Sequence, residues 1–303
     1  MDRRKFFKKT SLAGAGVLVS NKFMMGTDAE NPGRDAIHLM EEVRKYRKID
    51  CHAHVYFSED SPATQLDFAE RLHIDRLVIS RNLNPHSEGT PEEFRKNNDL
   101  VIQCMKDHPD RLLGTMVLNP KYQKESLDEI DRCVDAGMVG AGELYNQIKI
   151  NDPLYYPIIE KLTDLKMLIH MHSTIGHSRV KLHPREPENI SLPEEFVEIA
   201  ARYPETMFMF AHIGGGIDWE YACKALQNSP NVYVDVSGSN NAGGMIDFAM
   251  KYIGEDRLLF GCDNSYYQGV GRMFSARLTD AQRRKIFFDN YNNILRKSGN
   301  HVD

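Results

Sequence analysis

The chain has 303 residues, of which 41% are hydrophobic and 27% are charged, and its formal net charge at pH 7 is −5. This length fits one large α/β domain or two small ones, and the apolar fraction is sufficient for a sizeable core. The negative charge gives no indication of a nucleic-acid partner, and no apolar run has the length of a membrane-spanning helix, so we also expect no stable membrane anchor.

The first predicted element is an export signal over residues 1–30. Basic residues, including the pair Arg3-Arg4, precede a short apolar run of small residues at 12–19. A charged segment followed by a short apolar one is typical of such signals, and the arginine pair resembles a twin-arginine signal. We therefore expect a periplasmic or otherwise exported protein whose folded domain covers residues 31–303. An amphipathic N-terminal helix on a cytoplasmic protein is the alternative.

After the export signal, short apolar segments alternate with amphipathic ones. The apolar segments predict eight β-strands, at residues 49–54, 76–80, 112–118, 139–145, 167–172, 207–212, 232–236 and 258–263. Helices are predicted at residues 37–47, 63–72, 91–108, 124–135, 157–165, 193–202, 219–227, 245–253 and 281–297. Apolar strands that alternate with helices are typical of a parallel sheet covered by helices.

This alternation predicts one α/β domain with the architecture of a (β/α)8 TIM barrel. An open, doubly wound sheet is the alternative, but no glycine-rich phosphate-binding sequence follows the first strand. Five cysteines are scattered through the predicted elements without a C-x-x-C motif. Because their number is odd and their spacing is irregular, we expect free, buried thiols rather than a disulfide framework.

The first strand ends in His52-Ala53-His54, with Asp50 one step deeper. Alternate side chains of a strand share a face, so the two imidazoles point the same way. Two neighbouring imidazoles at a strand end are half of a zinc-type site. A lone His-x-His sequence is a weak signal, because a pair of packing or surface histidines gives the same pattern.

Further polar residues lie at the ends of later strands. Glu143 is near the end of the fourth strand, and His170 and His172 are in the fifth. His212 ends the sixth strand and Asp263 ends the eighth. The carboxyl ends of barrel strands meet at one rim, which carries the catalytic groups of barrel enzymes. The sequence therefore predicts a divalent-metal site at this rim, since histidines and carboxylates are ligands of such ions.

Together these motifs resemble the amidohydrolase-related metal-dependent hydrolases, in the branch that includes aminocarboxymuconate-semialdehyde decarboxylase. The resemblance extends over residues 48–297 and is carried by Asp50-x-His52-x-His54, His170, Ala211-His212-x-Gly-Gly, Gly261-x-Asp263 and Asn290-x-x-Asn293-Ile294-Leu295. It implies a TIM barrel with one zinc-like ion, in a family whose members often form homodimers. By the family pattern His212 contacts the metal-bound water or the substrate, and the metal ligands are His52, His54, His170 and Asp263.

The region of the fourth strand departs from one pattern of the superfamily. Members with two metal ions often carry a bridging lysine there, whereas residues 140–145 of this chain contain Glu143 and no lysine. We favour one divalent ion, Zn²⁺ with Mn²⁺ as the alternative, in which case Glu143 contacts the substrate or supports the ligands. If two ions bind instead, Glu143 is the bridging residue.

The ligand types predict metal-assisted chemistry. A bound zinc-like ion lowers the pKa of its water and polarises a carbonyl group. Asp263 then serves as general base, and His212 holds the developing oxyanion or the attacking water. We expect a hydrolase of a small, carboxylated ester, lactone or amide. The alternative is a non-oxidative decarboxylase on the same scaffold, and the third possibility is a metal-containing binding protein without catalytic activity.

Residues expected at the barrel mouth predict an anionic small-molecule substrate. The long polar segment 173–192 carries several basic side chains, among them Arg179, and arginine binds carboxylates well. A solvated loop with incidental charge is the alternative. His172 is expected either to contact the substrate or to support its neighbours. Tyr266 is expected either to pack against a planar substrate or to pack at the barrel mouth.

Overall fold

The computed structural model describes residues 39–56, 61–145, 148–173, 189–213, 219–238, 240 and 242–303. Predictions that concern the export signal therefore lie outside the described residues. In the described part of the chain, eight parallel strands form one sheet in which each strand pairs with the next. In chain order these strands are β1 (Ile49–His54), β2 (Arg76–Ser80), β3 (Leu112–Met116), β4 (Gly140–Leu144), β5 (Leu168–His172), β6 (Phe208–Ala211), β7 (Val232–Asp235) and β8 (Leu258–Leu259).

The two ends of the sheet meet, as a barrel requires. Cys51 N donates a hydrogen bond to Phe260 O at 2.9 Å, and Asp263 N donates one to His52 O at 2.7 Å. These bonds join β1 to the chain that follows β8, so the sheet comes close to complete closure. The predicted (β/α)8 TIM barrel is confirmed.

The described residues also form eleven α-helices. They are α1 (Leu39–Arg44), α2 (Ala63–Arg71), α3 (Pro91–Asp107), α4 (Gln123–Asp135), α5 (Tyr156–Asp164), α6 (Pro193–Arg202), α7 (Trp219–Ala225), α8 (Met245–Tyr252), α9 (Tyr266–Ser275), α10 (Asp280–Arg284) and α11 (Asn290–Lys297). None of the helices in this part of the chain is both long and apolar enough to cross a membrane.

The start of α3 shows how local sequence sets a helix boundary. Thr90 Oγ1 accepts a hydrogen bond from Glu93 N at 3.4 Å, and Glu93 Oε2 accepts one from Thr90 N at 2.8 Å. These reciprocal bonds form a capping box, which pairs two backbone N–H groups that the helix itself leaves unpaired. Pro91 occupies the first helical position, where its missing N–H costs no hydrogen bond. The helix therefore begins where the sequence predicts it.

Apolar side chains of the strands pack against the surrounding helices. The ring of Phe210 on β6 lies 5.0 Å from that of Phe196 on α6. Immediately after β8 in the chain, the ring of Phe260 lies 4.9 Å from that of Phe287. The cysteines are free and buried, as predicted, at positions Cys51, Cys104, Cys133, Cys223 and Cys262.

Two of the strand pairs are irregular where they carry polar residues. The register between β1 and β2 shifts between Asp50 and Ala53, and the register between β4 and β5 shifts between Ala141 and Leu144. Such irregularities turn side chains out of the regular alternation and are common beside active sites. His52 and Glu143 lie within these two intervals.

The last strand is shorter than the predicted segment 258–263. β8 contains only Leu258–Leu259, because Phe260 N and Cys262 N donate to Ile286 O and to Asp50 Oδ1 rather than to the backbone of a neighbouring strand. Asp263 and Asn264 have φ angles of 47° and 57°, in the left-handed region that a strand cannot contain.

The helices after β8 also differ from the prediction. The sequence did not predict α9, which opens with two tyrosines and contains two glycines, residues of modest or poor helix propensity. The predicted closing helix 281–297 is divided into α10, a π-helical turn at Lys285–Asp289, and α11.

Candidate metal centre

The two histidines of β1 lie side by side at the barrel rim. His52 Nε2 lies 3.1 Å from His54 Nε2, and the residues are 1% and 7% exposed. Their other ring nitrogens already have partners. His52 Nδ1 lies 3.0 Å from Asp235 Oδ2, and His54 Nδ1 lies 3.0 Å from Ser80 Oγ.

These partners determine where each ring carries its proton. A carboxylate only accepts hydrogen bonds, so Asp235 requires the proton of His52 on Nδ1. Ser80 donates its own proton to Asn82 Oδ1 at 3.1 Å, so its oxygen accepts from His54 Nδ1. Both Nε2 atoms therefore direct lone pairs at each other. Only a cation or a proton between them makes this arrangement favourable.

Two carboxylates direct oxygen atoms at the same point. Asp263 Oδ1 lies 3.2 Å from His54 Nε2 and 3.8 Å from His52 Nε2. Glu143 Oε2 lies 3.3 Å and 3.4 Å from the same two nitrogens. With bonds of about 2.1 Å, the corners of a tetrahedron around a metal ion are about 3.4 Å apart. His52 Nε2, His54 Nε2 and Asp263 Oδ1 can therefore hold one divalent ion. We call these three atoms, together with Glu143 Oε2, the central group.

The charges of the central group also favour a cation. Burial alone would lower the pKa of His52, but Glu143 and Asp235 raise it well above its usual value. Burial would raise the pKa of Glu143, but the charges of His52 and His172 hold it well below its usual value. Although burial would raise the pKa of Asp263 too, neighbouring histidines keep it below its usual range. The carboxylates are thus ionised, and His52 takes up a proton where no metal ion replaces it.

His170 packs against His52 inside the barrel. The two ring centroids are 4.3 Å apart, and His170 Nε2 lies 3.8 Å from Asp235 Oδ2. His170 is 4% exposed, and its Nε2 has no hydrogen-bond partner among the described residues. Burial and the charge of His52 lower its pKa well below the usual value. A buried neutral imidazole with an unpaired nitrogen is a suitable metal ligand.

A third group consists of Glu143, His172 and His212, and Glu143 also belongs to the central group. Its other oxygen, Oε1, is 2.8 Å from His172 Nδ1 and 3.9 Å from His212 Nε2. Asn82 Nδ2 donates to Glu143 Oε2 at 2.6 Å and holds the carboxylate in place. The ring of Tyr145 lies 4.3 Å from that of His172. The structure thus contains three adjoining sets of candidate ligands in the described part of the chain. They are His52–His170–Asp235, His52–His54–Asp263 and Glu143–His172–His212.

Most of the site residues predicted from the sequence come together, whereas Tyr266 does not join the cluster. Tyr266 is 3% exposed, its hydroxyl donates to Asn264 Oδ1 at 3.1 Å, and its ring lies 5.8 Å from that of Phe68. These contacts agree with packing at the barrel mouth. Arg179, with most of the polar segment after β5, lies outside the described residues.

Asp235 is the functional residue that the sequence analysis missed. It is the last residue of β7 and is fully buried. An acidic side chain at the carboxyl end of a barrel strand is the same signal that identified Asp263. Asp235 is not part of the ligand motif, because its carboxylate contacts His52 Nδ1, the ring nitrogen that faces away from the central group.

Comparison with known proteins supports the same family. A family model described as amidohydrolase matches residues 49–290. The 2-amino-3-carboxymuconate-6-semialdehyde decarboxylase of Dictyostelium discoideum is 27% identical over 132 residues, which cover 39% of this chain and 36% of that protein. The chain therefore matches only about a third of the length of this relative.

Several solved structures share the barrel. The 2,6-dihydroxybenzoate decarboxylase from Rhizobium has a TM-score of 0.64 at 17% identity, covering 84% of this chain and 100% of that one. The 5-carboxyvanillate decarboxylase from Novosphingobium aromaticivorans, complexed with manganese and 4-hydroxy-3-methoxy-5-nitrobenzoic acid, has a TM-score of 0.64 at 15% identity, covering 84% and 97%. An uncharacterized TIM-barrel protein from Bordetella bronchiseptica has a TM-score of 0.65 at 16% identity, covering 84% and 99%.

At these identities the solved structures support the fold alone. The family model, however, covers most of the chain, from the first residue of β1 to the first residue of α11. The resemblance derived from the sequence motifs is confirmed by this match. The chain belongs to the amidohydrolase family and is an enzyme of the amidohydrolase superfamily.

Proposed function

We propose that this enzyme is a metal-dependent, non-oxidative decarboxylase of a small carboxylate whose carboxyl group is attached to an aromatic or conjugated carbon. The observation that carries the proposal is the reaction named for its relatives. The Dictyostelium protein and the solved enzymes from Rhizobium and Novosphingobium aromaticivorans are decarboxylases. This supports the alternative raised by the sequence more strongly than the hydrolase that the sequence favoured.

The donors that we propose for one divalent ion are His52 Nε2, His54 Nε2 and Asp263 Oδ1. The family pattern adds His170, whose unpaired Nε2 is consistent with this role. A bound ion would supply a Lewis acid for an anionic substrate. We favour manganese because a structural relative was solved with it, and zinc, which the ligand types first suggested, is the alternative.

Asp263 is the residue that we assign to proton transfer. Its side chain is 34% exposed, whereas those of His52 and Glu143 are 1% and 3% exposed. In the reaction the bond between the substrate carbon and its carboxylate breaks, carbon dioxide leaves, and a proton takes its place on the carbon. Asp263 can take up one proton from solvent and deliver it to that carbon, because its side chain is the most exposed of the proposed ligands.

The third group is proposed to bind and orient the substrate. His212 is 9% exposed, and burial lowers its pKa, so the neutral ring can donate a hydrogen bond to a substrate oxygen. Glu143 Oε1 and His172 Nδ1 lie 2.8 Å apart, so these two side chains fix each other's orientation beside His212. We further propose that Arg179 binds an anionic group of the substrate, because its guanidinium can pair with a carboxylate in a bidentate manner.

The test is the release of labelled carbon dioxide. The full-length protein, loaded with Mn²⁺, is incubated in D₂O with a panel of hydroxybenzoates and conjugated carboxylates that carry ¹³C in the carboxyl group. We expect metal-dependent release of ¹³CO₂ and incorporation of one deuterium at the carbon that lost it. Hydrolysis of esters, lactones or amides, without release of label from any carboxylate, would contradict the proposal.

Hydrolysis stays the second candidate because of the position of Glu143. One of its oxygens faces His52 and His54, and the other faces His172 and His212. A carboxylate placed between two ligand sets can bridge two metal ions, and sites with two ions occur among metal-dependent hydrolases. Two equivalents of bound metal together with esterase or lactonase activity would favour this candidate.

We also propose that residues 1–30 direct the folded enzyme to the periplasm and that the enzyme is a homodimer. Fusion of this segment to a reporter that matures only after twin-arginine export tests the first point. Light scattering of the purified protein tests the second.

A further inference from the structure

The closure of the barrel lies directly beside the metal ligands. β8 ends at Leu259, so few backbone pairs are available between the last strand and β1. After Leu259, a backbone hydrogen bond from Asp263 N to His52 O, at 2.7 Å, joins the chain that follows β8 to β1 next to the ligands. At the rim itself the connection is made by a side chain, the amide of Asn264.

This amide pairs with both backbone polar groups of His54. His54 N donates to Asn264 Oδ1, and Asn264 Nδ2 donates to His54 O, each at 3.0 Å. The side chain thus replaces the backbone of a neighbouring strand. Two buried side chains complete the arrangement, because Gln65 Nε2 at 3.0 Å and the Tyr266 hydroxyl at 3.1 Å also donate to Asn264 Oδ1. Gln65 Nε2 donates to His54 O as well.

The backbone at this point is in a conformation that needs such support. Asp263 and Asn264 have φ angles of 47° and 57°. In the left-handed region, the β-carbon of a residue other than glycine approaches the following carbonyl oxygen too closely. Asparagine tolerates this region better than most residues. Two consecutive left-handed residues therefore persist where the surrounding contacts impose them.

We propose that Asn264 is a positioning residue for the metal centre: its amide fixes the left-handed turn that directs the Asp263 carboxylate toward His54. The inference depends on the proposed metal ligands and not on the reaction that they catalyse. Asp263 Oδ1 lies 3.2 Å from His54 Nε2, and the amide joins the backbones of these two ligands. Loss of the amide widens or loosens this spacing while every ligand is still present. The same contacts assign Tyr266 to support of Asn264.

A simpler role for Asn264 would be that it merely tolerates the left-handed turn. Asn264→Gly separates the two roles, because glycine adopts this conformation freely and lacks the amide. Lys166 provides a matched control, since it has a φ of 55° just before β5 and an exposed side chain. Lys166→Gly makes the same backbone change in the turn before β5, four residues ahead of His170, where Lys166 N donates to Thr163 O and not to a metal ligand.

The experiment measures two quantities in full-length wild type, Asn264→Gly and Lys166→Gly. The first is the dissociation constant for Mn²⁺, by competition with a chelator. The second is hydrogen exchange of the segment 49–56 with the metal removed, which reports the hydrogen bond of His54 N. We expect Asn264→Gly to bind Mn²⁺ about 10- to 100-fold more weakly and to exchange this amide faster, with Lys166→Gly unchanged in both.

An Asn264→Gly variant with wild-type affinity and wild-type protection of His54 N would overturn the proposal. If this variant does not fold, Tyr266→Phe removes one donor to Asn264 and should produce a smaller change in the same direction. No change in either quantity would overturn the proposal equally. A wild-type protein that binds neither Mn²⁺ nor Zn²⁺ would refute the metal site, and this inference with it.

Discussion

Replacement of Asp235 by asparagine tests how His52 is prepared for a metal ion. Asp235 Oδ2 lies 3.0 Å from His52 Nδ1, and Oδ1 accepts from Ser237 N at 2.7 Å. The carboxylate keeps the imidazole proton on Nδ1, so that the lone pair of Nε2 faces the central group. An asparagine can turn its NH₂ group toward the ring instead. The proton then moves to Nε2 and blocks the metal position.

The expected size of this effect follows from the kind of contact that is lost. Removal of an outer hydrogen-bond partner of a ligating histidine typically weakens metal binding about 10- to 100-fold, which corresponds to about 1.4–2.7 kcal/mol. The volume of the side chain is unchanged, so no cavity contributes. We therefore expect Asp235→Asn to bind Mn²⁺ or Zn²⁺ more weakly by this factor, with the fold retained.

The assay is competition with a chelator at fixed pH, combined with circular dichroism to verify the fold. Ser237→Ala is the matched control, because Ser237 Oγ also lies near His52 Nδ1, at 3.3 Å, but does not determine which nitrogen carries the proton. Its affinity should fall less than that of Asp235→Asn. An Asp235→Asn enzyme with wild-type affinity would refute the reasoning about the tautomer.

Three further predictions concern activity and stability. Asp263→Asn should retain the fold and lose decarboxylation by a factor of about 10² or more; full activity would refute its role in proton transfer. Buried Lys48 has a pKa lowered to about 8, chiefly by burial. Between pH 8 and 10.5 the unfolded chain therefore binds more protons at Lys48 than the folded protein does. In this range the free energy of unfolding, relative to that of Lys48→Met, should rise with pH by at most about 1.4 kcal/mol per pH unit. Urea titrations of both proteins that show no such difference would contradict this. Gly114→Ala should cost about 1–3 kcal/mol in urea unfolding, because the added carbon meets Met105 and lies 2.7 Å from Val101; an unchanged midpoint would argue against tight packing there.

The barrel and its ligand-bearing rim could be predicted because their signals are local. Arg76–Ser80 contains a short apolar run and Ile49–His54 alternates apolar with polar residues, and the observed bounds of both strands equal the predicted ones. Parallel strands then bring distant residues to one edge by topology alone. Therefore His52 and Asp263, far apart in the sequence, were predicted to be neighbours, and the structure brings Nε2 and Oδ1 within 3.8 Å.

What could not be predicted depends on contacts between distant side chains. The left-handed turn at Asp263 and Asn264 is imposed by bonds to His54 and Gln65, which no local pattern encodes. For the same reason α9, whose residues have modest helix propensity, was not predicted. Of the two roles expected for Tyr266, packing at the barrel mouth agrees with its contacts, because the turn directs its hydroxyl to Asn264.

The metal content of the purified protein tests the central claim most directly. Elemental mass spectrometry of the wild type and of His52→Ala compares the intact site with one that lacks a residue shared by two ligand sets. We predict about one equivalent of manganese or zinc in the wild type and its loss in the variant. Two equivalents would make Glu143 a bridging ligand and shift the preference to hydrolysis. A wild-type protein without metal, even after reconstitution, would contradict the account.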